Sequence, residues 1–156
     1  MTLVDSNVVL DILTADPVWC DWSTNQLDAA SLRGPVCIND VIYAELSVRF
    51  DRIEVLDNIL AEMKLDRRLI PASALFLAGK AYRHYRQAGG ARTGVLPDFF
   101  IGAQAAAERV PLLTRDRRRY TTYFPTVTLI APKAARIARQ GRGALDRPRP
   151  EQGVQP

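Results

Sequence analysis

Short apolar runs alternate along this chain with longer stretches in which apolar residues recur every three or four positions, and the two patterns predict strands and helices in turn. Thr2 to Asp5 is a run ending in a carboxylate, after which Ser6 and Asn7 offer N-cap side chains for a helix from Val8 to Leu13. A second helix is expected from Val18 to Leu32, stopped by Gly34-Pro35. Val36 to Ile38 reads as a buried strand, and Asn39-Asp40 caps a helix from Val41 to Arg49. Asp51 to Met63 reads as helix, Leu65 to Ile70 as strand, and Pro71 opens a long helix reaching Gln87. Gly89, Gly90 and Gly94 form a loop; Pro97 starts a helix to Arg109, and strands follow at Pro111 to Thr114 and Val127 to Ile130.

Strands alternating with helices predict an α/β fold, a parallel sheet with helices on both faces as right-handed crossovers require. The 156 residues, 47% of them hydrophobic, suit one domain with a substantial core. Apolar periodicity fades from Pro132, so residues 133–156 are expected to form a basic, Pro/Gly-rich and mobile tail. The start has no basic signal-peptide region and no apolar run approaches the ~18 residues a membrane span needs, which predicts a soluble cytoplasmic protein with no membrane partner.

Residue counts then remove several chemistries. Cys20 and Cys37 form no CxxC pair, and two cysteines make no disulfide framework, so both read as reduced apolar filler. His84 is the only histidine, which argues against Ser-His-Asp and Cys-His catalysis, His-ligated zinc and RNA cleavage by a histidine pair. Charge is unevenly spread: residues 1–66 carry twelve acidic and four basic side chains, residues 67–130 three acidic and eleven basic. An acidic site beside a basic surface suits a polyanion handled with metal ions.

Four acids stand where a parallel sheet places ligands, beyond the carboxyl ends of its strands. Asp5 follows the first strand and Asp116 follows the strand ending at Thr114, although either position also suits a turn or cap. Glu45 lies at the border of the apolar face of its helix, beside Ile38, Val41, Ile42 and Arg49, where a carboxylate needs a partner: Arg49 or a cation. Asp98 occupies the first turn after Pro97, which the helix dipole favours, but Leu96, Phe99, Phe100 and Ile101 imply an end tucked into the core. Clustered carboxylates raise one another's pKa, and Mg²⁺ or Mn²⁺ is the natural compensating charge. Such an ion would supply a water of lowered pKa for in-line attack on phosphorus.

These segments, LVDSNVVLDIL, DVIYAELS with Glu45, LPDFFIGAQAA and LLTRDRRRYTTYFPTVTLIAP, occur in the order and spacing of a known family. From residue 1 to 132 the chain resembles PIN-domain ribonucleases, and in particular the VapC toxins of type II toxin-antitoxin modules. The resemblance implies a PIN-like three-layer α/β/α sandwich with a mainly parallel five-stranded sheet, and a Mg²⁺- or Mn²⁺-dependent endoribonuclease. It implies a homodimer inhibited by a cognate VapB-type antitoxin, and products bearing a 5′-phosphate on the downstream fragment. Carried over by motif, Asp5, Glu45, Asp98 and Asp116 are the catalytic, metal-binding quartet, with Ser6, Asn7 and Thr114 as supporting polar groups.

Arg115, Arg117, Arg118 and Arg119, together with Arg86, Arg92 and Thr93, are candidate contacts to RNA, against the plainer reading of a solvated basic surface. His84 reads as an exposed polar residue, and Trp19, Trp22, Tyr82 and Tyr85 as packing residues. Two rivals remain. A receiver-type or phosphoryl-transfer domain also sets aspartates around Mg²⁺, but the first strand has no paired acid and the only lysines are Lys64, Lys80 and Lys133. A non-catalytic RNA-binding module would leave the four acids without a role.

Overall fold

A computed structural model describes residues 1–90 and 96–133; Arg92, Thr93, Gly94 and the tail beyond Lys133 lie outside the described residues. Twelve elements alternate along them: β1 (Thr2–Val4), α1 (Ser6–Leu13), α2 (Cys20–Ser31), β2 (Val36–Asn39), α3 (Asp40–Ser47), α4 (Ile53–Glu62), β3 (Leu65–Arg68), α5 (Ala72–Gln87), α6 (Leu96–Glu108), β4 (Leu112–Leu113), α7 (Arg118–Tyr123) and β5 (Leu129–Ile130). The five strands form one sheet of order β3-β2-β1-β4-β5, every pair parallel, flanked by helices as the apolar pattern predicted.

Register follows from where the apolar residues fall. Leu3 sits between Cys37 and Leu112, and Val4 beside Leu113. All of these are at most 1% exposed, as expected of a parallel sheet covered on both faces. Burial of each such Leu or Val contributes about 1.5–3 kcal/mol. Edge strand β3 buries only Leu65 and exposes Asp66, Arg67 and Arg68, which discourages pairing with another chain. Cys37 is core filler as expected: its Sγ donates to the Thr2 carbonyl at 3.5 Å, and burial pushes the thiol up to about 11. Among the described residues no helix is long and apolar enough to cross a membrane.

The chain leaves β1 toward β2 and leaves β4 toward β5, in opposite directions across the sheet. The crevice beyond the carboxyl ends of β1 and β4 is therefore a topological switch point, where open α/β sheets bind ligands. A buried polar link braces the neighbouring edge. Asn39, as N-cap of α3, accepts from Ile42 N at 2.9 Å and donates to Gln104 Oε1 at 3.0 Å, while Gln104 Nε2 donates to the Leu69 carbonyl at 3.2 Å.

Two local expectations are corrected. Helix α1 begins at Ser6 and not at Val8, with Asp5 in extended conformation as its N-cap residue but making no side-chain cap bond. The Asp5 oxygens are occupied by tertiary donors instead. Helix α7 was not anticipated, because Arg117, Arg118 and Arg119 read as a surface run. Asp116 Oδ1 accepts from Arg118 N at 3.0 Å and starts the helix, and its inner face carries Tyr120 and Tyr123 ahead of Phe124, three and four residues apart.

Candidate active site

Asp5 is the centre of the switch-point crevice. It is 3% exposed, and its backbone N–H bonds the Leu113 carbonyl at 2.9 Å, tying the end of β1 to β4. Three side chains donate to one carboxylate oxygen, Oδ2: Thr114 Oγ1 at 2.6 Å, Asn7 Nδ2 at 2.7 Å and the Tyr120 hydroxyl at 3.3 Å. The other oxygen, Oδ1, accepts one long side-chain bond, from Ser6 Oγ at 3.4 Å. Burial raises the Asp5 carboxyl above its ordinary value, and the bonds from Thr114, Tyr120, Ser6 N–H and Asn7 only partly oppose this.

The supporting polar groups form a closed network. Thr114 Oγ1 donates to Asp5 and accepts from Asn7 Nδ2 at 3.1 Å and from Asp116 N at 3.0 Å. Asn7 Oδ1 accepts from Arg115 N at 3.1 Å. One threonine and one asparagine thus hold the turn after β4 against the start of α1, which fixes where Asp116 leaves the sheet.

Asp5 bonds one buried phenol, and two further acids act on it through charge alone. The Tyr120 hydroxyl is held well above its ordinary range by burial, then by the charge of Asp5 and its bond to it, with Asp116 and Glu45 adding smaller repulsion. Half-buried Glu45 is itself raised by burial and, less strongly, by Asp5, while a bond from Ser6 opposes both. Glu45 thus faces Asp5 and Ser6, and no ion pair joins it to exposed Arg49. Asp98, in the first turn of α6, is instead ion-paired with Arg119 of α7.

Among the described residues no three acidic, histidine or cysteine side chains are close enough together to hold a metal ion. The donor chemistry nonetheless fits a hard divalent cation, since Mg²⁺ commonly uses one or two carboxylates and retains several waters. Oδ1 of Asp5 lacks the short side-chain bonds that Oδ2 receives, and buried Asp5 and half-buried Glu45 act on each other as like charges whose ionisation an added cation would favour.

The basic run divides into different tasks. Arg115 Nε approaches Oδ2 of Asp11 at 3.0 Å, as an ion pair whose N–H is not aligned for a hydrogen bond, and its guanidinium lies 5.3 Å from the Trp19 ring centroid. Asp11, 2% exposed, also accepts from Ser23 Oγ at 2.7 Å, so Arg115 clamps α1 and α2 to the loop after β4. Arg117 donates to the Pro132 carbonyl at 3.2 Å, and Arg86 to the Gly90 carbonyl at 2.6 Å. Arg118 is exposed and, with Tyr85, Asp116, Arg119, Thr122 and Tyr123, lines a cleft of about 410 Å³.

Asp11, Tyr120 and the Arg119–Asp98 pair were not foreseen from the sequence. Asp11 had one usable signal: it lies one turn before Thr14 on an apolar helix, beside Val8 and Ile12, where a carboxylate must be partnered. Tyr120 sat among charged residues and gave none.

The family model of the PIN domain matches residues 2–125. No curated protein matches the chain. Among solved structures, the chain is similar to VapBC2 from Rickettsia felis, bound to a DNA fragment from its promoter, at 19% identity and TM-score 0.66, covering 85% of this chain and 98% of that one. It is also similar to a toxin-antitoxin complex from Klebsiella pneumoniae, at 18% identity and TM-score 0.61, covering 82% and 96%. A third neighbour is FitAcB from Neisseria gonorrhoeae, at 18% identity and TM-score 0.57, covering 83% and 96%. Identities this low establish a common fold.

Proposed function

The chain belongs to the PIN-domain family, and from that premise we propose that it is the VapC-type toxin of a type II toxin-antitoxin module, a Mg²⁺- or Mn²⁺-dependent endoribonuclease. The observation that carries this reading is buried Asp5 at the switch point between β1 and β4, held by three side-chain donors, with half-buried Glu45 raised by burial and by the Asp5 charge. No cation is among the groups acting on either of these two acids, an arrangement that costs folding energy and that a catalytic metal site explains.

Asp5 and Glu45 would hold the ion, with Asp98 and Asp116 beside them. When bound, the ion lowers the pKa of a coordinated water and offsets charge developing on the phosphate. The chain's own residues do the rest. Asn7 and Thr114 fix the orientation of Asp5, Thr114 holds the backbone at Asp116, and Arg118 faces the cleft as a donor for phosphate oxygens, while Arg119 beside it is paired with Asp98. Arg117 and Arg86 are second-rank candidates, since each already donates to a backbone carbonyl, and Arg115 is engaged by Asp11.

A VapB-type antitoxin and a second copy of the chain are the proposed protein partners. Exposed Ile53, beside a cleft lined by Tyr43, Phe50 and Leu56, supports an apolar antitoxin segment there; exposed Leu69, Leu75 and Phe76 support a dimer contact. The catalytic unit is residues 1–132, residues 133–156 are an appendage to it, and a cytoplasmic setting suits an RNA substrate.

Asp98→Asn is expected to abolish cleavage of RNA while its circular dichroism spectrum matches the wild type. Cleavage at the wild-type rate by this variant would remove Asp98 from the catalytic set, whereas RNA binding without cleavage by the wild type would favour a non-catalytic RNA-binding module.

A further inference from the structure

We propose that Tyr120 is a positioning residue of the metal site: its hydroxyl is the third donor on Asp5 Oδ2, and by completing that oxygen's partners it reserves Oδ1 for the cation. This rests on the metal-dependent reading above and deepens it.

A carboxylate oxygen in a buried site accepts two or three hydrogen bonds before its lone pairs are committed. Oδ2 of Asp5 has three donors, each from a different direction along the chain: Asn7 from the first turn of α1, Thr114 from the end of β4, and Tyr120 from α7. Oδ1 has one side-chain contact, to Ser6 Oγ at 3.4 Å, and the Ser6 N–H also bonds the carboxyl. Both short side-chain bonds, from Thr114 and Asn7, fall on Oδ2, so the two oxygens are chemically distinct before any ion arrives and Oδ1 is the less encumbered one for a hard cation. Carboxylate ligands held in this way by outer hydrogen bonds lose about 10–100-fold in metal affinity when such a donor is removed.

Tyr120 is placed for this by packing, not by its neighbours in sequence. It is 1% exposed, and its ring lies against Gly102 of α6, where a Cβ would come within 3.0 Å of Tyr120 Cδ1. The absent side chain at Gly102 is what lets α7 sit close enough for the hydroxyl to reach Asp5. A tyrosine that only filled the core would need no polar atom at this depth, and a buried hydroxyl without a partner is costly. Here its partner is the site's most buried acid, with Asp116 and Glu45 close by in the same field.

Tyr120→Phe keeps the ring and deletes the donor. Titration of the full-length protein with Mn²⁺, followed by electron paramagnetic resonance of free ion, is expected to show about 10-fold weaker binding in the variant. Its circular dichroism should be unchanged, and kcat should fall while KM for RNA holds. Equal Mn²⁺ affinity in variant and wild type would overturn the positioning role and leave the nuclease reading intact. A wild-type protein that binds no Mn²⁺ would overturn both. If Tyr120→Phe unfolds, Tyr120→Leu gives the second test: it adds no bulk to the site and carries no hydroxyl, and must also lose Mn²⁺ affinity for the role to stand.

Discussion

Asp5→Asn is expected to abolish RNA cleavage and, in the absence of divalent ions, to raise the melting temperature of the protein. The loss in rate should reach about 1,000-fold or more, roughly 4 kcal/mol of transition-state stabilisation at ~1.4 kcal/mol per factor of ten. The gain in stability has a separate cause. Burial raises the Asp5 carboxyl above its ordinary value, so ionising it opposes folding. Below the unfolded value the group is protonated in both states and no penalty exists. As pH rises through the interval between unfolded and folded values the penalty grows, and above the folded value it is constant. Glu45, raised for the same first reason, adds a contribution of the same sign. Asparagine retains an acceptor for Asn7, Thr114 and Tyr120 without the charge. Thermal melts in chelator should therefore show little difference between variant and wild type near pH 4 and a clear advantage for Asn at pH 7. With Mg²⁺ in excess of its dissociation constant the wild type recovers stability by mass action and the variant does not. A variant less stable than wild type at pH 7 in chelator would mean that the Asp5 charge is already compensated by the protein.

Gly102→Ala is expected to destabilise the fold although alanine is the better helix former. A methyl there falls inside contact distance of the Phe124 ring and 3.0 Å from Tyr120 Cδ1, and both rings are buried. At so short an approach, overpacking falls in the upper part of its usual range, about 2–3 kcal/mol, against a helix-propensity gain of ~1 kcal/mol, for a net loss of about 1–2 kcal/mol. For a domain this size that is a fall of about 2–8 °C in melting temperature. The displaced ring also carries Tyr120 away from Asp5, so Mn²⁺ affinity should fall with stability. A melting temperature at or above wild type would show that α7 can shift on α6 without strain.

What the sequence made legible depended on how local each signal was. Buried parallel strands announce themselves as apolar runs, and Leu3-Val4, Val36 to Ile38 and Leu112-Leu113 all fell where expected. Asn39 was readable as an N-cap because capping involves only the next three residues. Helix α7 was not readable: six residues carry little periodicity, and its start depends on Asp116 accepting from Arg118. The four acids could be singled out because each sits at an element end or on a helix-face border. How they are joined is a tertiary fact: Ser6 bonds both Asp5 and Glu45, Thr114 bonds both Asp5 and the backbone of Asp116, whereas Asp98 is turned to Arg119. The arginines of the basic run looked alike in sequence. Arg115 is held by Asp11, Arg119 by Asp98, and only contact across the fold separates them from exposed Arg118.

The most direct test of metal-dependent hydrolysis is to map the ends of RNA cut by the purified full-length chain with Mg²⁺ and with chelator. Attack by water-derived hydroxide on phosphorus breaks the bond to the 3′ oxygen, leaving a 5′-phosphate on the downstream fragment and a 3′-hydroxyl upstream. The predicted result is cleavage only in the presence of the ion, with those two ends. Cleavage that persists in chelator, or a 2′,3′-cyclic phosphate end, would contradict it.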